Sequence, residues 1–292
     1  MFAITGATGK VGGAVARTLL AAGRSVRVVV RNADKGKAWS ARGAAVAVAD
    51  SGDAAALTAA FADSEGVFVM LPSNFDPMPG FPETRAVIDA IRTALVQARP
   101  AKVVVLSTIG ADAPQPNLLN QLGLLEQALA DLPMPIAFLR AAWFMENAAW
   151  DVAPARADGA IASYLQPLDK MFPMIATDDV GRTAADMLRD SWSGRRVVEL
   201  EGPFRVSPND IAGAFSRALD RPVAARSVAR DDWEALFRAQ GMHNPTPRMQ
   251  MLDGFNEGWI DFARRDASSR KGTITIDQAI AALVAGTPSD GG

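Results

Sequence analysis

Three glycines near the start of the chain have the spacing of a nucleotide-binding loop. Gly6, Gly9 and Gly12 form a G-x-x-G-x-x-G pattern between a short apolar run, Phe2–Ile4, and a segment with apolar residues at helical spacing. A dinucleotide pyrophosphate needs a tight turn, a backbone without Cβ atoms in its way, and free amides at a helix N-terminus. A plain tight turn would not require so many glycines. The pattern predicts a dinucleotide site formed by Gly6, Ala7, Thr8, Gly9, Lys10, Val11 and Gly12.

A basic residue follows the second predicted strand, Ser25–Val30. In a nucleotide-binding α/β fold this strand end faces the adenine ribose, and a carboxylate there selects NAD. Arg31 stands at that position instead, followed by Asn32. The planar fork of a guanidinium matches the oxygens of the 2′-phosphate of NADP. The position predicts NADP(H) as the preferred cofactor, with NAD(H) as the alternative. A solvated surface charge is the competing explanation for Arg31.

Two more strand ends carry polar side chains. Asp50 and Ser51 follow the third strand, where the adenine ring is expected to pack, and Asp50 can accept from the adenine amino group. Capping of the next helix through Ser51 or Asp53 is the alternative. Ser107 and Thr108 end the fifth strand, and we expect Ser107 to lie near the cofactor. Neither has an evident catalytic partner in the sequence.

Two segments leave the carboxyl edge of the predicted sheet beside the nicotinamide. Strands one and four are neighbours where the strand order reverses, and ligands bind at such points. We expect Leu71 and Pro72, after the fourth strand, to border the nicotinamide. A second segment follows the sixth strand. The residues expected to face the substrate are Asn74, Phe75, Trp143, Phe144 and Asn147. Core packing is the alternative for Phe144.

The elements that position these residues alternate strand and helix for about 140 residues. The strands are continuously apolar, which is typical of a parallel sheet covered on both faces. We predict a Rossmann-like, doubly wound α/β fold with a smaller, mostly helical C-terminal lobe and a substrate cleft between the two parts. Residues 1–150 are expected to form the NAD(P)-binding domain, with 176–201 returning to it, and 151–292 the remainder. The predicted segments include helices over Leu118–Leu132 and Pro247–Arg264, an irregular loop over Pro72–Pro82, and a frayed tail over Thr287–Gly292.

Composition excludes several classes of function. The 292 residues carry a net charge of −2, which gives no bulk positive field for nucleic acid. The absence of cysteine and the presence of one histidine exclude disulfides, thiolate metal sites and multi-histidine metal sites. No run of about 18 apolar residues is present to cross a bilayer, and no basic segment precedes the first apolar run. We expect a cytoplasmic protein with no metal, no membrane contact and no direct contact with nucleic acid.

The segments Thr5–Gly12 and Leu139–Asn147, together with Arg31, resemble the NmrA-like family of atypical short-chain dehydrogenases/reductases. The resemblance covers most of the chain. The glycine segment is shared with many reductases, whereas Phe144-Met145-Glu146-Asn147 is more particular to this group. The resemblance implies an NADP-preferring quinone or azo-dye reductase, or a non-catalytic sensor of the NADP/NADPH ratio that regulates a partner protein.

The sequence departs from the wider superfamily at the catalytic pair. Full members use Tyr-x-x-x-Lys, but Tyr164 is the single tyrosine and Leu168 stands four residues after it. The region expected to hold the pair, Asn120–Glu126, contains neither residue. The catalytic residues therefore stay unassigned, since no general acid is evident.

A quinone or azo acceptor needs less help than a ketone, because hydride addition gives a stabilised anion. We expect NADPH-dependent reduction of a quinone-like or azo aromatic acceptor by direct hydride transfer, in a monomer or homodimer. The alternative is a non-catalytic NADP(H) sensor with a regulatory protein partner.

Overall fold

The computed structural model describes residues 1–262 and 269–286. They fall into two compact units. The first unit comprises Met1–Asp112, Leu119–Ala141 and Thr177–Glu199. The second comprises Ala113–Leu118, Ala142–Ala176 and the described residues from Leu200 onward.

The strands are β1 (Phe2–Ile4), β2 (Val26–Val30), β3 (Ala45–Val48), β4 (Gly66–Val69), β5 (Val103–Thr108), β6 (Ile136–Ala141), β7 (Trp143–Phe144), β8 (Ala160–Ser163), β9 (Met174–Ile175), β10 (Arg195–Glu201), β11 (Ala224–Ser227) and β12 (Arg270–Lys271). The helices are α1 (Lys10–Ala21), α2 (Ala33–Ser40), α3 (Ala54–Phe61), α4 (Pro82–Ala98), α5 (Asn120–Leu129), α6 (Val152–Asp158), α7 (Thr177–Arg189), α8 (Pro208–Leu219), α9 (Trp233–Ala239), α10 (Thr246–Glu257) and α11 (Ile276–Gly286). Two 3₁₀ segments cover Met145–Asp151 and Arg230–Asp232.

The first unit is built on a parallel sheet in the order β10-β6-β5-β4-β1-β2-β3. β1 pairs with β2 on one side and with β4 on the other, so the strand order reverses there. β12 adds an eighth strand by pairing with Leu200 and Glu201, the last two residues of β10. The predicted Rossmann-like, doubly wound sheet is confirmed. Its reversal point is where this fold class places its ligands.

Helices cover both faces of the sheet in the first unit. One core lies under α3, α4 and α5, and includes Phe61, Leu95 and Phe138. On the opposite face α1 and α7 pack so closely that a Cβ on Gly181 would lie 2.3 Å from the Cβ of Ala14. This close packing fixes α1, the helix that follows the glycine loop.

The second unit is mostly helical, with two short parallel strand pairs, β7–β9 and β8–β11. Its core contains fully buried aromatic side chains, among them Phe172, Phe215, Trp233 and Phe237. Among the described residues, no helix of either unit combines the length and apolarity needed to cross a bilayer.

Two predicted helices are shorter in the structure. The helix predicted over Leu118–Leu132 is α5, which ends at Leu129, and Pro133 disfavours helical backbone at the residue before it. The helix predicted over Pro247–Arg264 is α10, which ends at Glu257. Gly258 stops it with a left-handed φ of +92°, and its amide donates to the Gly254 carbonyl.

Other elements differ in detail or were missed. α2, α6, β8, β11 and the two-residue strands were not predicted; each has eight residues or fewer, and periodicity is a weak signal over so short a segment. The loop predicted over Pro72–Pro82 is irregular up to its last residue, where α4 begins. Arg264 and the predicted tail Thr287–Gly292 lie outside the described residues.

Candidate functional site

The glycine loop joins β1 to α1, and its three glycines have different local reasons. Gly6 has a φ of +64°, and a Cβ there would lie 2.3 Å from the sulfur of Met70. A Cβ on Gly12 would lie 2.4 Å from the Gly6 carbonyl oxygen, which is backbone and cannot move aside. Gly9 is exposed, and its nearest neighbour would be 3.4 Å away. The protein's own packing therefore explains Gly6 and Gly12, while the space in front of Gly9 is open to a ligand.

The N-terminus of α1 faces the same loop. Gly9 is its N-cap residue with extended backbone, no side chain caps it, and the first turn contains no acid. The Gly9 amide donates to Gly6 and the Gly13 amide to Gly9. The amides of the turn between them have no acceptor within the helix. An uncapped helix start of this kind, at the positive end of the helix dipole, suits a phosphate group.

Thr5 fixes the loop to the neighbouring strand. Its Oγ1 donates to the Phe68 carbonyl at 3.1 Å and accepts from the Met70 amide at 3.0 Å. The end of β1 is thereby held against the end of β4 at the point where the strand order reverses.

Arg31 directly follows β2 and is exposed. Within the described residues its guanidinium has neither a hydrogen-bond acceptor nor an ion-pair partner, so all its donors are available. Asn32 is different, because its Oδ1 caps α2 by accepting from the Asp34 amide at 2.8 Å. Lys37 forms an ion pair with Asp34 at 2.7 Å. Arg31, unlike Lys37, is thus an available cation at this strand end.

The structure shows which polar residue after β3 caps the next helix, a question that the sequence left open. Asp53 is the N-cap of α3, and its Oδ1 accepts from the Ala56 amide at 2.9 Å. Asp50 is exposed and accepts from the Gly52 amide through Oδ1 alone, at 3.0 Å. Helix capping therefore falls to Asp53, and Asp50 keeps Oδ2 available to a ligand, with the partly exposed Ser51 next to it.

The loop after β4 is anchored at Asn74. Its side chain accepts from the Asp76 amide at 3.2 Å, and its carbonyl accepts from Gln121 Nε2 at 3.0 Å. Gln121 is held in turn by the Thr84 hydroxyl at 2.6 Å. The loop therefore has a fixed shape at Asn74, which stabilises the backbone on which the next side chains stand.

Other side chains of this loop are directed differently. Leu71 is buried under the sheet edge, whereas Pro72 is exposed. Phe75 is 60% exposed and Met78 59%. The loop of the first unit that is expected to border the nicotinamide therefore carries an exposed apolar surface.

Ser107 takes part in a network of charged groups that the sequence did not reveal. It is 3% exposed, and its hydroxyl donates to Glu126 on α5. Glu126 also accepts from Arg140 Nε at 2.9 Å and Nη2 at 2.7 Å, and Arg140 pairs with Asp112 at 2.6 Å. Ser107 therefore has a hydrogen-bond partner, Glu126, that the sequence did not indicate.

Two causes act in opposite directions on the pKa of Arg140. Burial alone would lower it, but the hydrogen bonds and charges of Glu126 and Asp112 raise the pKa well above its usual value. The network is positioned by the sheet, since Ser107 and Arg140 are register partners on adjacent parallel strands. The network borders an open groove of about 390 Å³ in the first unit.

The remaining predicted substrate residues lie together in one segment of the second unit. Trp143 is half-buried, and its ring meets Phe255 edge-on at 5.2 Å between centroids. Phe144 is half-buried beside Ile175, its partner on β9. Asn147 is exposed on the 3₁₀ segment that follows. Of these three side chains, Asn147 offers the most accessible polar group.

Among the described residues, no group of three histidine, cysteine or carboxylate side chains is placed to hold a metal ion.

The chain matches the model of the NmrA-like family over residues 1–264. The chain belongs to this family. The resemblance seen in the sequence is confirmed.

The NmrA-like chain is also similar to curated relatives over most of its length. It is 26% identical to quinone oxidoreductase 2 of Escherichia coli strain K12, over 99% of this chain and 95% of the relative. It is 28% identical to NAD(P)H azoreductase of Xenophilus azovorans, over 88% and 85%.

Solved structures show the same fold. The NADPH-dependent quinone oxidoreductase of Escherichia coli complexed with NADPH has a TM-score of 0.80 at 23% identity, over 97% of this chain and 99% of that one. The triphenylmethane reductase of Citrobacter sp. complexed with NADP(H) has a TM-score of 0.78 at 18% identity, over 97% and 99%.

Proposed function

We propose that this NmrA-like protein binds NADP(H) on its first unit and uses it to reduce a quinone-like or azo aromatic acceptor. One observation carries the cofactor proposal: an uncapped helix start behind the open Gly9, with the unpaired Arg31 at the end of the next strand. A negative charge near a helix N-terminus contributes about 0.3–1 kcal/mol of stabilisation. A charge-assisted hydrogen bond to a 2′-phosphate adds roughly 1.5–3 kcal/mol.

The residues present fit the cofactor. Gly6 and Gly12 form the turn, Gly9 admits the pyrophosphate, and Asp50 keeps a carboxylate oxygen for the adenine side. Asn32 and Ser107 have structural bonds already, so any contact they make uses their remaining groups. The proposed cofactor-binding residues are Gly6, Ala7, Thr8, Gly9, Lys10, Val11, Gly12, Arg31, Asn32, Asp50, Ser51, Leu71, Pro72 and Ser107.

Two observations support the class of acceptor: the sequence has no evident general acid, and two relatives are named quinone oxidoreductase and azoreductase. When bound, NADPH supplies a hydride. At the end of β5, Ser107 is committed to Glu126, so this hydroxyl is not a free proton donor. An acceptor whose reduced form is a delocalised anion fits such a site, because water can protonate it. The relatives named quinone oxidoreductase and azoreductase support this class of acceptor.

Substrate contacts are proposed for side chains that present accessible surface. In the first unit these are Asn74 and Phe75, and in the second Trp143, Phe144 and Asn147. Phe75 offers the largest apolar face among them in the first unit.

The test combines binding with turnover. Calorimetry is expected to show tighter binding of NADPH than of NADH, and a panel of quinones and azo dyes is expected to accelerate NADPH oxidation saturably. Binding of NADPH without oxidation above background would replace the reductase by the alternative NADP(H) sensor. Failure to bind either coenzyme would overturn the whole proposal.

A further inference from the structure

Arg248 of the second unit is a half-buried cation without a counter-ion. Its guanidinium lies over the ring of Phe237 at 4.3 Å from the centroid, and Nη1 contacts the sulfur of Met242 at 3.7 Å. Within residues 1–262 and 269–286 it has no other hydrogen-bond or ion-pair partner. Among the described residues, Nε and Nη2 have no partner, and they are not buried from solvent. The guanidinium therefore keeps several N–H donors that a ligand can reach.

The position of Arg248 on its helix makes this arrangement more unusual. It is the third residue of α10, whose first turn contains no acid and no side-chain cap. A cation is disfavoured at a helix N-terminus, where the dipole is positive. Burial acts in the same direction and lowers the pKa of Arg248. A bound anion would offset the cost of desolvating this charge. It would also offset the repulsion from the helix dipole and take the place of a carboxylate partner.

A tyrosine packs on the same phenylalanine ring as this cation. Tyr164, the single tyrosine of the chain, packs on the same Phe237 at 5.1 Å between ring centroids. Within the described part of the chain its hydroxyl has no hydrogen-bond partner. Met242 is half-buried and offers apolar surface next to the guanidinium, and Tyr164 is half-buried against Phe237.

We infer that Arg248 and the Tyr164 hydroxyl form a binding site in the second unit for a carboxylate or sulfonate carried on a flat aromatic group. Arg248 supplies the charge and the paired donors that fit two anionic oxygens. Tyr164 supplies one further donor, and Met242 packs against the aromatic body. The inference goes beyond the proposed function, because it does not require the aromatic acid to be the hydride acceptor.

The test measures ligand binding in the absence of turnover. Naphthalene sulfonate and the uncharged naphthol are titrated into the full chain by fluorescence, with and without NADP⁺. Arg248→Met is expected to weaken the sulfonate by about tenfold to hundredfold and to leave naphthol unchanged. Tyr164→Phe is expected to weaken the sulfonate a few fold. Arg248→Lys keeps the charge and is expected to retain part of the affinity.

Arg226→Met is the matched control, since Arg226 is an exposed arginine of the same unit with no partner among the described residues. Arg226→Met is expected to change the affinity for neither ligand. Equal losses for sulfonate and naphthol in Arg248→Met, or an equal loss in Arg226→Met, would overturn the inference. Thermal melts of each variant separate loss of the site from loss of the fold.

Discussion

The hydroxyl of Ser107 donates to the carboxylate of Glu126, across the space between β5 and α5. The same carboxylate holds Arg140 through two nitrogens, and its side chain is 12% exposed. A serine at the end of the fifth strand is therefore part of a structural ion network rather than a free catalytic group.

Removing the charge of Glu126 is expected to destabilise the fold. Glu126→Gln leaves Arg140, also 12% exposed, with Asp112 as its remaining carboxylate. Breaking a largely buried pair from one side costs roughly 2–4 kcal/mol, measured as the free energy of unfolding in urea. The control is Glu65→Gln, which breaks the exposed pair with Arg24 and is expected to cost less than about 1 kcal/mol. Similar costs in both variants would contradict the structural role of Glu126.

Two glycines of the same loop are expected to respond differently to alanine. Gly12→Ala places a Cβ against immovable backbone and is expected to cost roughly 1–3 kcal/mol of stability. Gly9 has φ −93° and ψ 178°, which alanine adopts freely, and its Cβ would meet no close neighbour. Gly9→Ala is therefore expected to keep the melting temperature and to weaken NADPH about tenfold in calorimetry. Unchanged NADPH affinity in Gly9→Ala would place the pyrophosphate elsewhere.

Reversing the charge at Arg31 is expected to act on NADPH alone. Arg31→Asp removes the unpaired guanidinium at the end of β2, so the dissociation constant for NADPH rises roughly tenfold to hundredfold. NADH has no 2′-phosphate and is expected to bind as before in the same fluorescence titration. Lys35→Asp makes the same charge change on the exposed face of α2 and serves as the control. Equal effects of Arg31→Asp on both coenzymes would exclude contact with the 2′-phosphate.

The sheet of the first unit was predictable because its signals are local. Strands with continuously apolar cores, such as Val103–Leu106 of β5, lie between helices of ordinary length, and both patterns are readable in the sequence. The glycine loop was predictable for the same reason, since the left-handed φ of Gly6 and the contact of Gly12 with the Gly6 carbonyl are both local. The second unit was harder, because β7 and β9 contain two residues each and pair across 31 positions of sequence.

The charged networks were not predictable from local signals. Ser107 and Glu126 are 19 residues apart on different elements, and their contact depends on how α5 packs on the sheet. The unpaired state of Arg248 is equally invisible in a sequence that contains many carboxylates. By contrast, the sequence correctly left Asp53 as a helix cap among its alternatives, because capping requires only the three residues that follow.

The stability of the second unit is expected to fall as pH rises, because of one buried acid. Burial raises the pKa of Asp151 from 3.8 to about 7, so the folded state keeps a proton that the unfolded chain has lost. The contribution is fully favourable below about pH 4 and is lost as pH rises towards 7. Asp151→Asn is therefore expected to be more stable than the wild type at pH 8 by roughly 1–3 kcal/mol, and by much less at pH 5. Thermal unfolding at both pH values measures this, with the exposed Asp158→Asn on α6 as the control. An equal gain at both pH values would show that Asp151 is ionised in the folded state throughout this range.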